Sequence, residues 1–441
     1  MNEIITRPYK VGLYTLGCKV SLYETEAIGE EFSRRGFAVL PFDSECDVYV
    51  INTCTVTAES DAKSRKYIRR AVRRNPGAVV AVVGCYSQRA AEEVAAIPGV
   101  SIVLGTADKL SVVDRAISLL RAGERSTPCV SVGSLESACF EPMCVERAPR
   151  TRAYVKIEDG CECRCSYCAI SDARGPVRSK PKDDVIREVE GLSASGTKEI
   201  VLTGIETGSY GSDFNFEYGL CDLLCELDRR GSAERIRLGS MAPELVGEKF
   251  ISRVQGLSIL TPHFHISMQS ASDSVLRGMR RRYSSATAIA NMERIRRYIP
   301  DVTFTADLMV GFPGESEEDF LDTFNFVRRM RLLDAHVFAY SKRRGTPAAL
   351  FENQVSEEVK RERSARLIAE VSSVRDELLG ELVRQGKPLS CIFESRKDRL
   401  YTAHSDTYVE VAVECDEDIR GELRDVIPIS HKNGIIYGKI C

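Results

Sequence analysis

The sequence predicts an α/β protein in three parts: a parallel sheet, a partial (β/α)6 barrel and a small antiparallel β-barrel. Three observations carry this. Apolar runs alternate with helix-like stretches near the amino terminus. Six more such runs alternate with helices from Arg152 to Tyr340. Short β-like runs with no helix among them close the chain from Leu389 to Ile440. A length of 441 residues also exceeds one ordinary core, so two or three domains are expected.

In the first part, expected as residues 8–122, the apolar runs are Lys10–Thr15, Cys46–Asn52 and Ala78–Gly84. Tyr23–Arg35 and Ser60–Arg74 between them are helical in pattern. Strands alternating with helices argue for a parallel sheet, whose carboxyl ends share one edge. A cysteine follows each run almost at once: Cys18, Cys54 and Cys85. Three cysteines far apart in sequence are thereby expected to meet in space.

Residues 123–146 carry Ser, Thr, Pro, Gly and Glu with little periodicity and read as a linker, with Cys129, Cys139 and Cys144 incidental. The middle part, 147–378, offers strands at Arg152–Ile157, Glu199–Thr203, Arg235–Leu238, His263–Met268, Thr303–Val310 and His336–Tyr340. Lys182–Ser195, Ser284–Tyr298 and Glu315–Arg329 are helices between them. Six such units suggest a partial barrel, with its chemistry at the carboxyl ends of the strands. The polar or glycine residues there are Gly160, Gly204, Glu206, Ser240, Gln269, Gly311 and Ser341. Ser356–Val383 alternates charge sign and reads as a solvated connecting helix. The last part, 379–441, has strands at Leu389–Glu394, Tyr408–Val413, Glu422–Ile427 and Gly434–Ile440.

Composition is that of a globular protein, 43% hydrophobic and 28% charged. With a net charge of −3, nucleic-acid contact would need local basic patches. Lys63, Arg65, Lys66, Arg69, Arg70, Arg73 and Arg74 crowd one helix with no acid among them, and Arg280–Arg282 form a second cluster. Both suit phosphate contacts, or simply a solvated face. The segment from Lys387 has eight basic and ten acidic residues, so any RNA face there is local. Its Tyr401, Tyr408 and Tyr437 are candidates to stack bases or to fill a barrel. Met1–Lys10 has no apolar core for an export signal, and no apolar stretch is long enough to span a bilayer, so a cytoplasmic location is expected.

Sixteen cysteines in a reducing compartment point to metal binding or redox work. Cys46, Cys221, Cys225, Cys391, Cys415 and Cys441 lack ligand-like spacing and read as buried hydrophobes. Cys161, Cys165 and Cys168 are different: a C-x3-C-x2-C run at the end of the first barrel strand. Three thiolates this close can hold three irons of a four-iron cluster and leave the fourth open to a small molecule. Zinc is the competitor, but structural zinc wants four ligands, usually in two separated pairs. Thiolate-only ligation suits iron and sulfur better. Cys163 is an extra thiol inside the run, and Tyr167 puts an aromatic ring beside it.

The pattern C-x3-C-x-aromatic-C resembles the radical S-adenosylmethionine superfamily. The resemblance implies a 4Fe-4S cluster on Cys161, Cys165 and Cys168, chelation of S-adenosylmethionine by the open iron, and reductive formation of a 5′-deoxyadenosyl radical. It also implies cofactor contacts at Tyr167, at Gly204 and Glu206 after the second strand, at Ser267 and Gln269 on the fourth, and at Asp307 and Gly311 on the fifth. Glu206 would meet the methionine ammonium, and Ser267 and Gln269 the ribose or carboxylate.

The likeness then narrows. Leu16-Gly17-Cys18-Lys19-Val20, Asn52-Thr53-Cys54-Thr55-Val56 and Val83-Gly84-Cys85 are similar to the three cysteine motifs of methylthiotransferases. Ala173-Arg174-Gly175-Pro176-Val177-Arg178-Ser179, the run His263 to Ser270, Gly311-Phe312-Pro313-Gly314-Glu315 and Tyr340 to Ala348 extend the match over nearly the whole chain. The resemblance implies a flavodoxin-like amino-terminal domain with a second 4Fe-4S cluster on Cys18, Cys54 and Cys85. It also implies a terminal TRAM module that binds RNA, and a reducing partner such as flavodoxin or ferredoxin. The motifs lie nearest the branch that converts N6-threonylcarbamoyladenosine, beside the anticodon in the tRNA anticodon stem-loop, to its 2-methylthio form. The alternatives are an isopentenylated adenosine, an aspartate of a ribosomal protein, or, from another class, a non-catalytic metal-stabilised RNA-binding protein. Ser21, Leu22, Ala271 and Cys163 depart from the family's usual residues.

Overall fold

A computed structural model describes residues 8–123, 127–214 and 218–441. Residues 1–7, read above for an export signal, and 124–126 of the expected linker lie outside the described residues.

The amino-terminal sheet contains β1 (Lys10–Thr15), β2 (Ala38–Leu40), β3 (Val48–Thr53), β4 (Val79–Gly84), β5 (Ile102–Leu104) and β6 (Cys129–Ser131). Its order is β2-β1-β3-β4-β5-β6, with every pair parallel. The residues of β3 and β4 are all buried, because helices cover both faces and no polar alternation is needed. Separate apolar cores form on the two faces, one around Val48, Val79 and Ile102 and one around Tyr49, Val80 and Ile68. β6 falls in the stretch expected to be linker. It pairs Cys129 with Ile102 at the sheet edge and is too short to leave a periodic trace.

The middle part contains β7 (Arg152–Lys156), β8 (Glu158–Asp159), β9 (Arg178–Ser179), β10 (Glu199–Thr203), β11 (Arg235–Leu238), β12 (Ser240–Met241), β13 (His263–Gln269), β14 (Thr303–Val310) and β15 (Asp334–Ala339). β11-β10-β7 and β12-β13-β14-β15 are two parallel sheets joined through Gly239. A Cβ at Gly239 would lie 2.7 Å from Thr207 Oγ1 and 3.1 Å from the Leu202 carbonyl, so only glycine lets the strand turn there. The result is the expected open six-step barrel, with β7 and β15 at its edges. β8 and β9 form a short antiparallel ribbon beside the cysteine run.

The helix Glu357–Gln385 does more than connect. Lys360, Arg363, Leu367, Val371, Val374 and Leu379 are buried on one face. Charged stems lie along apolar surface while their ends find partners: Arg363 Nη1 donates to Glu315 Oε2 at 2.7 Å, and Lys360 packs over the Tyr340 ring. Alternating charge thus concealed a packed face.

The terminal part is a closed barrel of β16 (Leu389–Lys397), β17 (Leu400–Ser405), β18 (Glu410–Glu414), β19 (Leu423–Lys432) and β20 (Ile435–Ile440), in the order β16-β17-β18-β20-β19. It is antiparallel except at its closure, where β18 and β20 run parallel. This barrel covers the amino ends of the central strands. Tyr408 stacks on His263 with ring centroids 4.5 Å apart, and the Arg237 guanidinium lies 5.0 Å from the same ring. Arg237 also donates to the carbonyls of Asp406 and Ser405 at 3.0 and 3.1 Å. Of the three tyrosines proposed for base stacking, Tyr401 is fully buried in the barrel core and Tyr408 is used in this docking; Tyr437 is half-buried. No helix among the described residues is long and apolar enough to cross a membrane.

Candidate functional site

Cys18, Cys54 and Cys85 sit just beyond β1, β3 and β4, three neighbouring strands. Cys18 caps the helix Lys19–Arg34, and its thiol lies 3.8 Å from Ser21 Oγ. Gly17, at φ +117°, passes so close to Cys54 that a Cβ would lie 3.1 Å from its Cβ and 3.3 Å from its Sγ. Burial pushes the Cys54 thiol up to about 11, and the charges of Cys85 and Cys18 add to this. The buried Cys54 and Cys85, with the exposed Cys18 beside them, are a set of soft donors that suits a cation. Ser21, one of the departures, keeps its main chain in use: its carbonyl accepts from Asn52 Nδ2 at 2.9 Å.

The second triad is in a loop clamped to its surroundings by backbone bonds. Gly160 has φ +97°, and a Cβ there would lie 1.9 Å from the Pro176 carbonyl oxygen. Cys161 N donates to the Gly175 carbonyl at 2.9 Å, Ser166 N to Met279 at 2.9 Å, and Ala348 N to Ser166 at 2.9 Å. Cys168 Sγ accepts from Ile170 N at 3.4 Å. Tyr167 packs against the apolar cluster of Met309, Phe312 and Tyr340. The extra thiol of Cys163 faces Cys161, whose hydrogen bond lowers it to about 6, helped by Arg281 and Arg282.

Each triad has one guanidinium against a thiol. Arg174 Nε is 3.1 Å from Cys85 Sγ, and Arg281 Nη1 is 3.5 Å from Cys165 Sγ. The sequence put Arg281 in a cluster suited to phosphate contacts or a solvated face, but its bonds to the Ser267 carbonyl at 2.8 Å and the Tyr283 hydroxyl at 3.1 Å turn it inward. Arg282 is likewise engaged, donating to the Glu162 carbonyl at 2.8 Å. Arg174 is fully buried and bridges the two parts of the protein. Its Nη1 meets Glu24 Oε1 at 2.6 Å and Asp159 Oδ2 at 3.2 Å. Lys109 and Lys156 each reach Glu24 Oε1 at 2.9 Å, and Lys156 reaches Asp159 Oδ2 at 2.7 Å. Glu24 is on the helix that Cys18 caps, and Asp159 precedes Cys161 by two residues. A buried ionic network therefore fixes one triad relative to the other. Arg343 adds a second tie, donating to Thr55 Oγ1 at 2.7 Å and Asp61 Oδ2 at 2.6 Å beside Cys54.

The remaining strand-end residues are at the same end of the barrel. A Cβ on Gly204 would lie 2.5 Å from Glu158 Oε2, which accepts from Glu206 N at 2.9 Å. Glu158 Oε1 is buried with no hydrogen-bond partner among the described residues. Glu206 Oε1 accepts from Ala242 N at 2.9 Å, and burial pushes its carboxyl up to about 8. Two buried carboxyls with unspent capacity suit a cationic ligand such as an ammonium. The Ser267 hydroxyl donates to the Met241 carbonyl at 3.3 Å, and Gln269 sits at φ +63° in a β-bulge. Gly311, φ +71°, faces Lys360 Cγ, where a Cβ would come within 2.3 Å. Asp307 lies inside the barrel, its Oδ1 3.2 Å from His265 Nε2 and 3.0 Å from His336 Nδ1. These three could also gather around a metal ion, their ligand atoms lying within 4.8 Å of one another. The sequence singled out Asp307 alone, since histidines on separate strands carry no common spacing.

On the basic helix Ala58–Arg74, Lys63 pairs with Glu59, Arg65 with Glu93, and Arg70 and Arg74 with Asp43. Lys66, Arg69 and Arg73 are exposed and have no ion-pair partner among the described residues.

Two family models match the chain: the uncharacterized protein family UPF0004 over residues 10–105 and the radical SAM superfamily over residues 155–327. A threonylcarbamoyladenosine tRNA methylthiotransferase, MtaB, of Bacillus subtilis is 40% identical, with the alignment covering 94% of this chain and 92% of the relative. The MtaB of Aquifex aeolicus is 33% identical, over 95% of this chain and all of the relative, 100%. A tRNA-2-methylthio-N(6)-dimethylallyladenosine synthase of Methylacidiphilum infernorum is 32% identical, over 97% and 94%. Among solved structures, the radical S-adenosylmethionine methyltransferase TsrM of Kitasatospora setae, with cobalamin and a 4Fe-4S cluster bound, shares the fold. Its TM-score is 0.58 at 16% identity, covering 78% of this chain and 77% of that one.

Proposed function

The chain belongs to the methylthiotransferase family of radical S-adenosylmethionine enzymes, and from that premise we propose that it converts N6-threonylcarbamoyladenosine in tRNA, beside the anticodon, to 2-methylthio-N6-threonylcarbamoyladenosine. The observation that carries this reading is the pair of thiol triads tied together by the Glu24–Arg174–Asp159 network. Radical formation and sulfur delivery at two centres require that their separation be held, and a fully buried ionic bridge does that.

The residues fit the groups the family uses. Cys161, Cys165 and Cys168 would hold one 4Fe-4S cluster, and Cys18, Cys54 and Cys85 the other. When bound, these clusters and S-adenosylmethionine supply the radical, the sulfur and the methyl group. The protein's own part is orientation. Arg174 and Arg281 neutralise Cys85 and Cys165 at their protein side. Glu158 and Glu206 offer their carboxyl groups to the methionine ammonium. Tyr167 and the apolar cluster around Phe312 keep water from the flank of the second triad. The terminal barrel, read as a TRAM module, and the exposed Lys66, Arg69 and Arg73 bind the anticodon stem-loop. Flavodoxin or ferredoxin is the class of electron donor proposed, and the cytoplasm, where tRNA resides, the location.

Nucleoside mass spectrometry of tRNA from cells with and without the protein tests the substrate. Loss of 2-methylthio-N6-threonylcarbamoyladenosine alone is expected; loss of the isopentenyl counterpart instead would overturn the substrate assignment. Replacing Lys66, Arg69 and Arg73 together by alanine is expected to weaken tRNA binding and to reduce the slope of log K against log salt by about 2 to 3. An unchanged slope in a salt titration would remove this helix from the RNA interface.

A further inference from the structure

Lys19 follows Cys18 in the first turn of the helix Lys19–Arg34 and is partly buried where that helix meets the central barrel. The charged groups around it are the neighbouring Cys18 thiol, Arg152 of β7, Arg237 of β11, Asp307 of β14 and His336 of β15. The two arginines have their own counterions: Arg237 is held by Glu199 at 2.8 and 3.1 Å, and Arg152 pairs with Glu394. The acid, Asp307, is shared between His265 and His336. Lys19 itself makes no hydrogen bond or ion pair among the described residues. It does line, with Cys18, Gly17, Leu22 and Arg150, an open cavity of about 460 Å³. An ammonium beside two arginines, with no hydrogen-bonded or ion-paired anion of its own among the described residues, on a residue that lines a cavity of ligand size, calls for an anionic ligand.

We propose that Lys19 binds the carboxylate of the threonylcarbamoyl group on the substrate base, and so selects that base over its uncharged isopentenyl counterpart. The proposal rests on the threonylcarbamoyladenosine reading and adds the residue that enforces it. The chemistry of adenine places the contact well. C2, where sulfur arrives, and the N6 substituent flank N1 on one edge of the ring. A group anchoring the N6 substituent must therefore lie beside the residues that present sulfur, and Lys19 is the neighbour of Cys18. An isopentenyl group would cover the ammonium without neutralising it, and a site built for a polar partner rejects the analogue that lacks it.

The test uses the reconstituted enzyme and anticodon stem-loops carrying threonylcarbamoyladenosine, its methyl ester or isopentenyladenosine. Binding is read by fluorescence anisotropy and product by mass spectrometry. Wild-type enzyme is expected to prefer the free acid to the ester by roughly 100-fold in affinity and in kcat/KM. Lys19→Met should bring acid and ester together, and Lys19→Arg should retain the preference. Iron content, measured in parallel, separates loss of recognition from loss of the neighbouring cluster. If Lys19→Met does not load iron, the acid-to-ester ratio of the wild type and of Lys19→Arg still decides. Equal use of acid and ester by the wild type overturns the Lys19 assignment while leaving the substrate in place. A wild type that modifies only the isopentenyl stem-loop overturns the substrate reading itself.

Discussion

Cys165→Ala is expected to abolish 5′-deoxyadenosine release from S-adenosylmethionine, whereas Cys54→Ala retains part of that release and yields no methylthio product. The asymmetry follows from where the two thiols stand. Cys165 is in the loop closed by Gly160 and clamped through Ser166, at the end of the barrel that holds Glu158 and Glu206. Cys54 is beyond β3 in a different sheet, 3.3 Å from the position a Cβ on Gly17 would take. Removing one ligand of three leaves its own centre incomplete and the other intact. Iron content should fall from about eight to about four per chain in either variant. Quantified 5′-deoxyadenosine and product from the same reaction check the pair. Normal methylthio product from Cys54→Ala would withdraw the sulfur role of the first triad.

Glu24→Ala is expected to destabilise the protein by about 3 to 5 kcal/mol, the usual cost of removing one partner from a buried ion network. Three cations, Lys109, Lys156 and Arg174, converge on this one carboxylate, and all four side chains are fully or almost fully buried. Burial alone would push the Glu24 carboxyl up, yet the three cations outweigh it and hold it well below the usual carboxylate range. The folded value is thus the depressed one. The contribution is complete at neutral pH and is lost as pH falls below about 4.5, the unfolded value, towards the folded one. Urea melts at pH 7 and pH 4 should show a wild-type loss of stability that Glu24→Ala, lacking this group, does not fully share. A Glu24→Ala variant as stable as wild type at pH 7 would refute the account.

Much of this architecture is written locally. The buried runs of β3 and β4 and the strands of the barrel announce themselves because each is apolar and bounded by turns or helices. That Cys18, Cys54 and Cys85 all follow neighbouring strands of one parallel sheet is read from the alternation of strands and helices, without any spacing signal. β17 went unseen because its inward residues, Tyr401, Ala403 and Ser405, are mixed in size and polarity. Three adjacent arginines, Arg280 to Arg282, do not reveal which one turns in, since that depends on the Ser267 carbonyl and Cys165 from other segments. Glu24 meets Lys109, Lys156 and Arg174 across 85, 132 and 150 positions of sequence, and no periodicity encodes such a convergence. Candidate site residues can be named one by one from the sequence; the electrostatic frame between them cannot.

The seat of Tyr408 on His263 and Arg237 has a bearing on how such a chain can diversify. It joins the terminal barrel to the amino ends of the central strands. A replacement module would need one aromatic ring and two carbonyl acceptors at this seat, together with partners for Arg152, Arg235 and Thr303. The Glu24 junction permits no such exchange, because each half would bury charges with no partner. The terminal barrel thus leans on contacts that another module could supply one at a time, while the two thiol-bearing parts share buried charges and must be inherited together.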